Sequence, residues 1–253
     1  MIAGARLRGA MRRLASVEGR HLRVRRLLPP AARRALRRAM REPSPRRYIP
    51  AALGVGGFFE ELRRRRVAYV VLRWFELLPE IAPGEDIDLL VADEDLPAMA
   101  ALLDGEAGLV PCDVYTVSGL PGTDYRRMAY YPPDMARGIL MRSVLVNGLY
   151  RSPCPEDHFL SLAYHALYHK GTDSGLPSAT PGVVPISAPE HDYAASLAGL
   201  AATLRWDVGI TMEALDEALA KRGWRPPPSS LERLAEHNIW VCRHLLVGCG
   251  TVR

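Results

Sequence analysis

The feature that most constrains this chain is a pair of apolar runs, the second of which begins within the segment GEDID. Residues 67–72 and 87–91 are rich in β-branched side chains and are bounded by polar or turn residues, which is typical of buried strands. The residues between them include two prolines and a glycine, which interrupt regular structure. The sequence therefore predicts two buried strands joined by a loop or a short helix.

Two aspartates, Asp86 and Asp88, lie at the start of the second strand. Because alternate residues of a strand face the same side, both carboxylates project from one face, while Ile87 and Leu89 face the core. Two neighbouring carboxylates raise each other's pKa unless a cation lies between them. Hard divalent cations, Mg²⁺ above all, prefer such oxygen ligands. The pattern indicates a metal site, and a solvated strand end after a turn is the alternative.

The segment LRWFELLPEIAPGEDIDLLV resembles the core of the nucleotidyltransferase superfamily of the DNA polymerase β type. The signature of that family is an apolar strand, a Gly-Ser turn, a spacer and Asp-x-Asp on the next strand. Here GEDIDLLV matches well, and Trp74 and Phe75 occupy the Gly-Ser position. In the family that turn binds the nucleotide phosphates, and a Trp-Phe pair cannot bind them in the same way. The sequence of this chain therefore supports metal binding more strongly than the family's usual mode of triphosphate binding.

A third acid, Asp113, lies in the next predicted strand, residues 109–117. Strand alternation places Asp113, Tyr115 and Val117 on one face, and Pro111 indicates an edge strand or a strand start. The resembling family carries its third acid on such a strand. The resemblance therefore implies that Asp86, Asp88 and Asp113 bind Mg²⁺ or Mn²⁺ and are catalytic. A surface position is the alternative for Asp113.

Phosphate contacts are predicted for a group of basic residues: Arg73, His165, His169 and Lys170. His158, His165 and His169 are seven and four residues apart in a predicted helix, which places them on one helix face. They form either an active-site wall or a structural polar face. The long loop of residues 118–133 offers further candidates for contact with a phosphate or a base, or it is a plain surface loop: Arg126, Arg127, Tyr130 and Tyr131.

The predicted fold is α+β (α/β), with a small mixed sheet, flanking helices and a helical C-terminal region. We expect a basic helical arm and linker over 1–50, a nucleotidyltransferase-like core over 51–152 and a helical domain over 153–253. Further elements are predicted as a strand over 144–150 and helices over 58–66, 93–103, 133–141, 155–170, 191–204, 211–222 and 231–246. Expected helix caps are Asp93, Thr211 and either Ser229 or Ser230.

Charge is unevenly distributed along the chain. Residues 1–50 contain fifteen arginines and two acids, a net charge of +13 within a total of +5. Such an arm suits an anionic membrane surface, nucleic acid or the protein's own acidic body. A solvated arm without a partner is equally consistent. No apolar run is long enough to span a bilayer, and the four cysteines show no paired spacing, which favours reduced thiols in a cytoplasmic protein.

These observations lead to one principal functional prediction. The chain is expected to be a Mg²⁺-dependent nucleotidyltransferase that moves a nucleoside monophosphate from a nucleoside triphosphate such as ATP to an unknown acceptor hydroxyl or phosphate on a small molecule, sugar or protein. Two alternatives stay open: a degenerate nucleotide-binding scaffold, and a membrane-surface or nucleic-acid binder acting through its arm. The stretch YHALYHKGTDSGLP also resembles, more weakly, bacterial proteins of surface-polysaccharide systems.

Overall fold

The computed structural model describes residues 47–82, 84–103 and 110–246, all within one compact unit that begins at Pro45. The predicted helices of the basic arm lie outside the described residues. The strands are β1 (Arg47–Ile49), β2 (Tyr69–Val71), β3 (Ile87–Val91), β4 (Val110–Thr116), β5 (Val144–Val146) and β6 (Tyr150–Ser152). The helices are α1 (Gly54–Arg64), α2 (Leu96–Ala100), α3 (Pro133–Met141), α4 (Pro155–Tyr164), α5 (Tyr193–Leu204), α6 (Met212–Lys221) and α7 (Pro228–Ala235).

The main sheet has four strands in the order β1-β4-β3-β2. Strands β3 and β4 are parallel, and the two outer pairs are antiparallel, so the sheet is mixed as predicted. The connection from β3 to β4 includes α2, as the crossover between parallel strands requires. The protein is therefore α+β, with its helices concentrated towards the C-terminus.

Both faces of this sheet are covered, which explains why β3 reads as a continuous apolar run. Ile87, Leu89 and Val91 pack in one core cluster with α1 and α2, which confirms the predicted inward direction of Ile87 and Leu89. Leu90 and Tyr115 belong to a second cluster on the other face, which also contains buried residues of α3–α7. The side of β3 that carries Asp88 therefore faces the helical half of the molecule.

The predicted linker before residue 50 contains a strand that the sequence reading missed. Arg47–Ile49 pairs with β4 and satisfies that side of its backbone, with Tyr48 opposite Pro111. Strand β4 is consequently an interior strand, so of the two alternatives predicted for Pro111 the edge strand was wrong and the strand start is confirmed. Pro111 is tolerated because it is the second residue of the strand.

The predicted strand over 144–150 is instead a two-stranded hairpin formed by β5 and β6. Its turn is Asn147-Gly148, and both residues have positive φ angles, 49° and 69°. This is the backbone that a tight hairpin turn demands and that Asn-Gly supplies at low cost. The Asn-Gly pair that marks such a turn is visible in the sequence.

Helix α4 continues into a π-helical segment, His165–Lys170, before Gly171 ends it with a φ of 55°. The predicted helix over 155–170 and its glycine stop are thus confirmed. π-Helical turns are rare and occur mostly as short segments within α-helices. Here Asn238 donates from its side chain to the carbonyls of Leu167 and Tyr168 at 2.8 and 3.0 Å.

The last predicted helix, over 231–246, is divided in two. Helix α7 begins after Pro227, so neither Ser229 nor Ser230 is its cap. A second segment, Val241–Leu245, follows Asn238, whose Oδ1 accepts from the amides of Trp240 and Val241.

Other predicted caps have mixed outcomes. Thr211 caps α6 as expected, accepting from the amide of Ala214. Asp93 does not cap a helix, because its carboxylate accepts from the amide of Ser118 instead. Among the described residues no helix is both long and apolar enough to cross a bilayer, and the three described cysteines form no disulfide bond.

Candidate functional site

The three predicted acids lie around the start of β3. Asp88 is the direct register partner of Asp113 on the parallel strand β4, so their side chains project from the same face of the sheet. Asp86 immediately precedes β3 and is half-buried, whereas Asp88 is only 7% exposed. The charges of all three carboxylates act, after burial, to raise the pKa of the neighbouring Cys112 thiol. The sequence prediction that the acids share one neighbourhood is consistent with this arrangement.

Asp88 is paired with a buried arginine. Nη2 of Arg73 lies 2.7 Å from Oδ2 of Asp88, and Arg73 is 6% exposed. Burial alone would lower the pKa of Arg73, but the Asp88 carboxylate and nearby tyrosines raise it well above the usual value. Arg73 is therefore a permanent cation at the acid cluster. Its Nη1 is buried and makes no hydrogen bond to any described residue.

A buried polar chain runs from Arg73 into the helical half. The guanidinium carbon of Arg73 lies 5.4 Å from the ring centre of Tyr130, within cation–π range. The Tyr130 hydroxyl lies 2.5 Å from Nδ1 of His165, and Nε2 of His165 lies 3.2 Å from the hydroxyl of Tyr193. These contacts satisfy both ring nitrogens of His165 and hold Tyr130 beneath the arginine.

The predicted histidines divide into two groups. His165 and His169 lie side by side, with ring centres 5.7 Å apart, while His158 packs against Phe75 at 4.7 Å. Burial, followed by the charge of Arg73, lowers the pKa of His165 and of His169 well below the usual value. Both rings are therefore neutral at physiological pH, and Nδ1 of His169 is buried without a hydrogen bond to a described residue.

Lys170 ends the π-helical segment and reaches Glu190, with Nζ 3.7 Å from Oε2. It remains partly exposed. Tyr130 and Tyr131 are both 1% exposed, so the prediction that these two rings contact a phosphate or a base was wrong. Their hydroxyls are turned towards His165 and the carbonyl of Ser161. Arg126 and Arg127 remain on the surface.

Trp74 occupies a conformation that large side chains rarely adopt. Its φ is 54°, in the left-handed region, at the position where the resembling family has its Gly-Ser turn. Its ring stacks on His191 with centres 4.2 Å apart and meets Tyr193 edge-on at 5.4 Å. Aromatic packing on both rings therefore fixes the backbone at Trp74. Such strain persists only where the surroundings enforce it.

A cavity of about 260 Å³ opens beside this turn. Arg73, Trp74 and His191 form part of its lining, and Asp86 lies at its border with the acid cluster. His191 also lies 3.6 Å from Glu85. The loop between β2 and β3 and the adjoining strand ends supply the other lining residues: Val71, Glu76, Leu77, Leu78, Glu80, Ile81, Ala82, Glu85 and Ile87. The lining therefore includes two aromatic rings, Trp74 and His191, and four acidic residues.

The donor chemistry of Asp86, Asp88 and Asp113 fits a hard divalent cation, since all three present carboxylate oxygens. Across the parts of the chain that the structure describes, however, no three His, Cys, Asp or Glu side chains are grouped tightly enough to hold a metal ion alone. Mg²⁺ in proteins is commonly held by one or two carboxylates together with substrate phosphates and water. The acids fit that shared mode of binding.

Sequence reasoning missed two residues of this site, His191 and Tyr193. They precede and begin α5, more than a hundred residues after Trp74 and Arg73, and they reach the site only through tertiary packing. No local motif surrounds them. No family model, curated protein or solved structure matches this chain. Its function is therefore argued from the site itself.

Proposed function

We propose that the protein is a Mg²⁺-dependent nucleotidyltransferase. The observation that carries this proposal is the register of Asp88 with Asp113 on adjacent parallel strands, with Asp86 two residues away and a buried arginine against Asp88. Neighbouring carboxylates disfavour each other's ionised form unless a cation lies close to them, and Arg73 supplies one such charge to the buried Asp88, while Asp86 and Asp113 are half-buried. The resemblance of GEDIDLLV to the nucleotidyltransferase motif supplies the class of reaction.

In the proposed reaction an acceptor oxygen attacks the α-phosphorus of a nucleoside triphosphate. A new P–O bond forms to the acceptor, the bond to the β-phosphate breaks, pyrophosphate leaves, and the acceptor proton passes to a base or to solvent. A bound Mg²⁺ neutralises phosphate charge and lowers the pKa of a coordinated hydroxyl. Asp86, Asp88 and Asp113 would hold it together with phosphate oxygens.

The protein's own side chains contribute position and charge. Arg73 lies against Asp88 and fixes its carboxylate, since a salt bridge between two buried groups tolerates little movement. Lys170 is partly exposed and is the better candidate for contact with a phosphate. His165 and His169 hold the Tyr130 platform beneath Arg73. They are proposed as positioning residues.

The test is calorimetric binding of ATP, GTP, CTP and UTP with Mg²⁺ or Mn²⁺ to the wild type and to Asp86→Asn and Asp113→Asn variants. We expect metal-dependent binding to the wild type and a loss of at least tenfold in affinity in each variant. Asp134→Asn is the matched control, because Asp134 is a fully exposed acid on α3. Equal affinity in the wild type and the site variants would refute the metal-site assignment.

A second function, a nucleotide-binding or scaffold protein without transfer activity, is favoured by one observation. Trp74 and Phe75 replace the phosphate-cradling turn, and the Trp74 ring is held by His191. Under this alternative, nucleotide binds without turnover to pyrophosphate. Pyrophosphate release measured with a panel of sugar and phosphorylated acceptors distinguishes the two functions.

A further inference from the structure

Exposed apolar side chains are concentrated where α3 ends and the β5–β6 hairpin begins. Six large apolar residues are exposed in the described part of the chain, and three of them, Met141, Val144 and Leu145, lie within five positions. Met141 is 80% exposed and Leu145 is 52% exposed. Single apolar side chains are common on protein surfaces, whereas a group of them indicates a surface that contacts something other than water.

The hairpin directs Leu145 away from the body of the protein. Leu145 is the register partner of Arg151, so both side chains project from the same face of the hairpin. Tyr150 and Ser152 lie on the opposite face, where both are buried. The outer face of the hairpin therefore combines an exposed leucine with an exposed arginine.

The end of α1 adds positive charge beside the hairpin. Residues 63–66 are four consecutive arginines, and all are exposed. Nη1 of Arg63 lies 3.4 Å from the carbonyl oxygen of Gly148, which belongs to the hairpin turn. Together with Arg151, the helix end supplies five arginines to this side of the molecule. Two acids of the same helix offset part of their charge: Glu60 and Glu61.

The combination of aliphatic and basic side chains fits an anionic lipid surface. Aliphatic side chains enter the boundary of the acyl region, while arginines remain among the anionic headgroups. A nucleic acid would use only the arginines, because bases are bound by aromatic or polar side chains and the exposed apolar residues here are aliphatic. A symmetric contact with a second copy would bring the same arginines together, which is unfavourable.

We propose that this surface docks the protein on an anionic lipid bilayer. The docking face consists of Met141, Val144, Leu145, Arg151 and residues 63–66. It belongs to the folded body and is distinct from the basic arm of residues 1–50, whose charge would add to the attraction. The proposal does not depend on the transferase function.

The test is flotation of the full-length protein with vesicles of phosphatidylcholine, with or without phosphatidylserine. We expect saturable binding to the vesicles that contain phosphatidylserine and much weaker binding to those without it. Met141→Gln/Leu145→Gln should weaken this binding about tenfold, because two apolar side chains no longer leave water. The matched control is Val184→Gln/Ile239→Gln, which changes two exposed apolar residues elsewhere and should bind normally.

This comparison separates the docking face from the arm. If the arm alone binds the bilayer, a folded Met141→Gln/Leu145→Gln variant has the affinity of the wild type, and the proposal is overturned. Absence of binding to the anionic vesicles would overturn it as well.

A second pair of variants examines the charge of the docking face. Arg63→Gln/Arg66→Gln should weaken binding about fivefold in about 0.1 M salt and have little effect in about 1 M salt, where the Debye length falls from about 10 Å to about 3 Å. Lys221→Gln/Arg233→Gln removes the same charge from exposed positions on α6 and α7 and is the control. Equal affinities of the two variants at low salt would refute the role of the helix end.

Insertion is measured directly with Leu145→Trp and vesicles whose acyl chains are brominated. Bromine should quench the added fluorescence of Leu145→Trp, whereas Val184→Trp should not be quenched beyond the wild type. Equal quenching of the two variants would contradict docking through the hairpin.

Two other partners give different results. Tighter binding to a single-stranded RNA than to vesicles, weakened by Arg63→Gln/Arg66→Gln but not by Met141→Gln/Leu145→Gln, would assign the surface to nucleic acid. A dimer that sedimentation detects in the wild type and not in Met141→Gln/Leu145→Gln, without vesicle binding, would assign it to a second copy. Either result would overturn the proposal.

Discussion

Arg73 and Asp88 form the most buried ion pair of the candidate site, and each compensates the charge of the other. Removing one partner of a buried pair leaves an uncompensated charge, which commonly costs about 3–5 kcal/mol. Arg73 also covers the ring of Tyr130. The pair therefore contributes to the stability of the sheet as well as to the proposed chemistry.

We expect Arg73→Ala to lower the free energy of unfolding by about 3–5 kcal/mol, measured by urea denaturation. Arg137→Ala is the control, because Arg137 pairs on the surface with a fully exposed Asp134 and such pairs contribute about 0–1 kcal/mol. A loss of less than 1 kcal/mol for Arg73→Ala would show that Asp88 does not depend on this cation.

A second polar network fixes the loop of residues 176–186. Oε1 of Glu213 accepts from Ser178, from Thr180 and from the indole of Trp240, at 2.6, 2.7 and 3.1 Å. Burial alone would raise the pKa of Glu213, but these hydrogen bonds lower it to about 2. The Glu213 carboxylate therefore stabilises the fold while it remains ionised.

Because the folded-state pKa of Glu213 is depressed, its stabilisation is present above the unfolded value of about 4.5 and is lost as the pH falls towards about 2. Between about pH 4.5 and about pH 2, we expect the urea midpoint of Glu213→Gln to fall less than that of the wild type. The exposed Glu232→Gln serves as the control. An identical acid profile for wild type and Glu213→Gln would contradict this role.

At the scale of elements, the junction between α4 and the tail depends on Gly171. Its φ of 55° is costly for other residues, and an added Cβ would lie 2.6 Å from Oδ1 of Asn238. Asn238 in turn satisfies the carbonyls of the π-helical segment and begins the last helical segment. One glycine thus allows two elements to approach each other.

We expect Gly171→Ala to destabilise the protein by at least about 1 kcal/mol, measured by thermal or urea unfolding. Gly199→Ala gives the opposite expectation. Gly199 is an exposed residue of α5 with no atom within 4 Å of an added Cβ, so alanine should stabilise the helix by up to about 1 kcal/mol. Equal effects of the two substitutions would contradict this explanation.

At the scale of the whole molecule, three histidines of α4 and the π-helical segment are withdrawn from solvent: His165 is buried, and His158 and His169 are half-buried. Burial lowers the pKa of His158 from 6.5 to about 4, and it lowers those of His165 and His169 well below the usual value. The unfolded chain therefore binds more protons than the native protein below about pH 6.5. Protonation favours unfolding across this range.

We expect the free energy of unfolding to fall as the pH decreases from about 6.5 towards 4, by up to about 1.4 kcal/mol per pH unit for each histidine. His158→Gln should make this dependence shallower, as measured by urea unfolding at several pH values. His237→Gln, at a partly exposed position, is the comparison. A wild-type stability independent of pH in this range would contradict the burial of neutral histidines.

The sequence by itself determined the elements whose signals are local. The two strands joined by the loop that contains Gly84 follow from their apolar, β-branched runs. The end of the helix at Gly171 follows from the backbone freedom of glycine, and the cap at Thr211 follows from a side-chain hydrogen bond three residues away. The signal for the Asn147-Gly148 turn is equally local, because it consists of two adjacent residues. The positions of Asp88 and Asp113 on predicted strands, and of Asp86 directly before one, follow from the sequence alone.

Only the tertiary structure decided which distant residues meet. It added β1 to the sheet, made β4 an interior strand, buried Tyr130 and Tyr131, and brought His191 against Trp74. These outcomes depend on long-range packing, in which a side chain is buried only because another element covers it. The same packing placed Arg73 against Asp88, so the charge balance of the candidate site is a property of the folded molecule rather than of its motif.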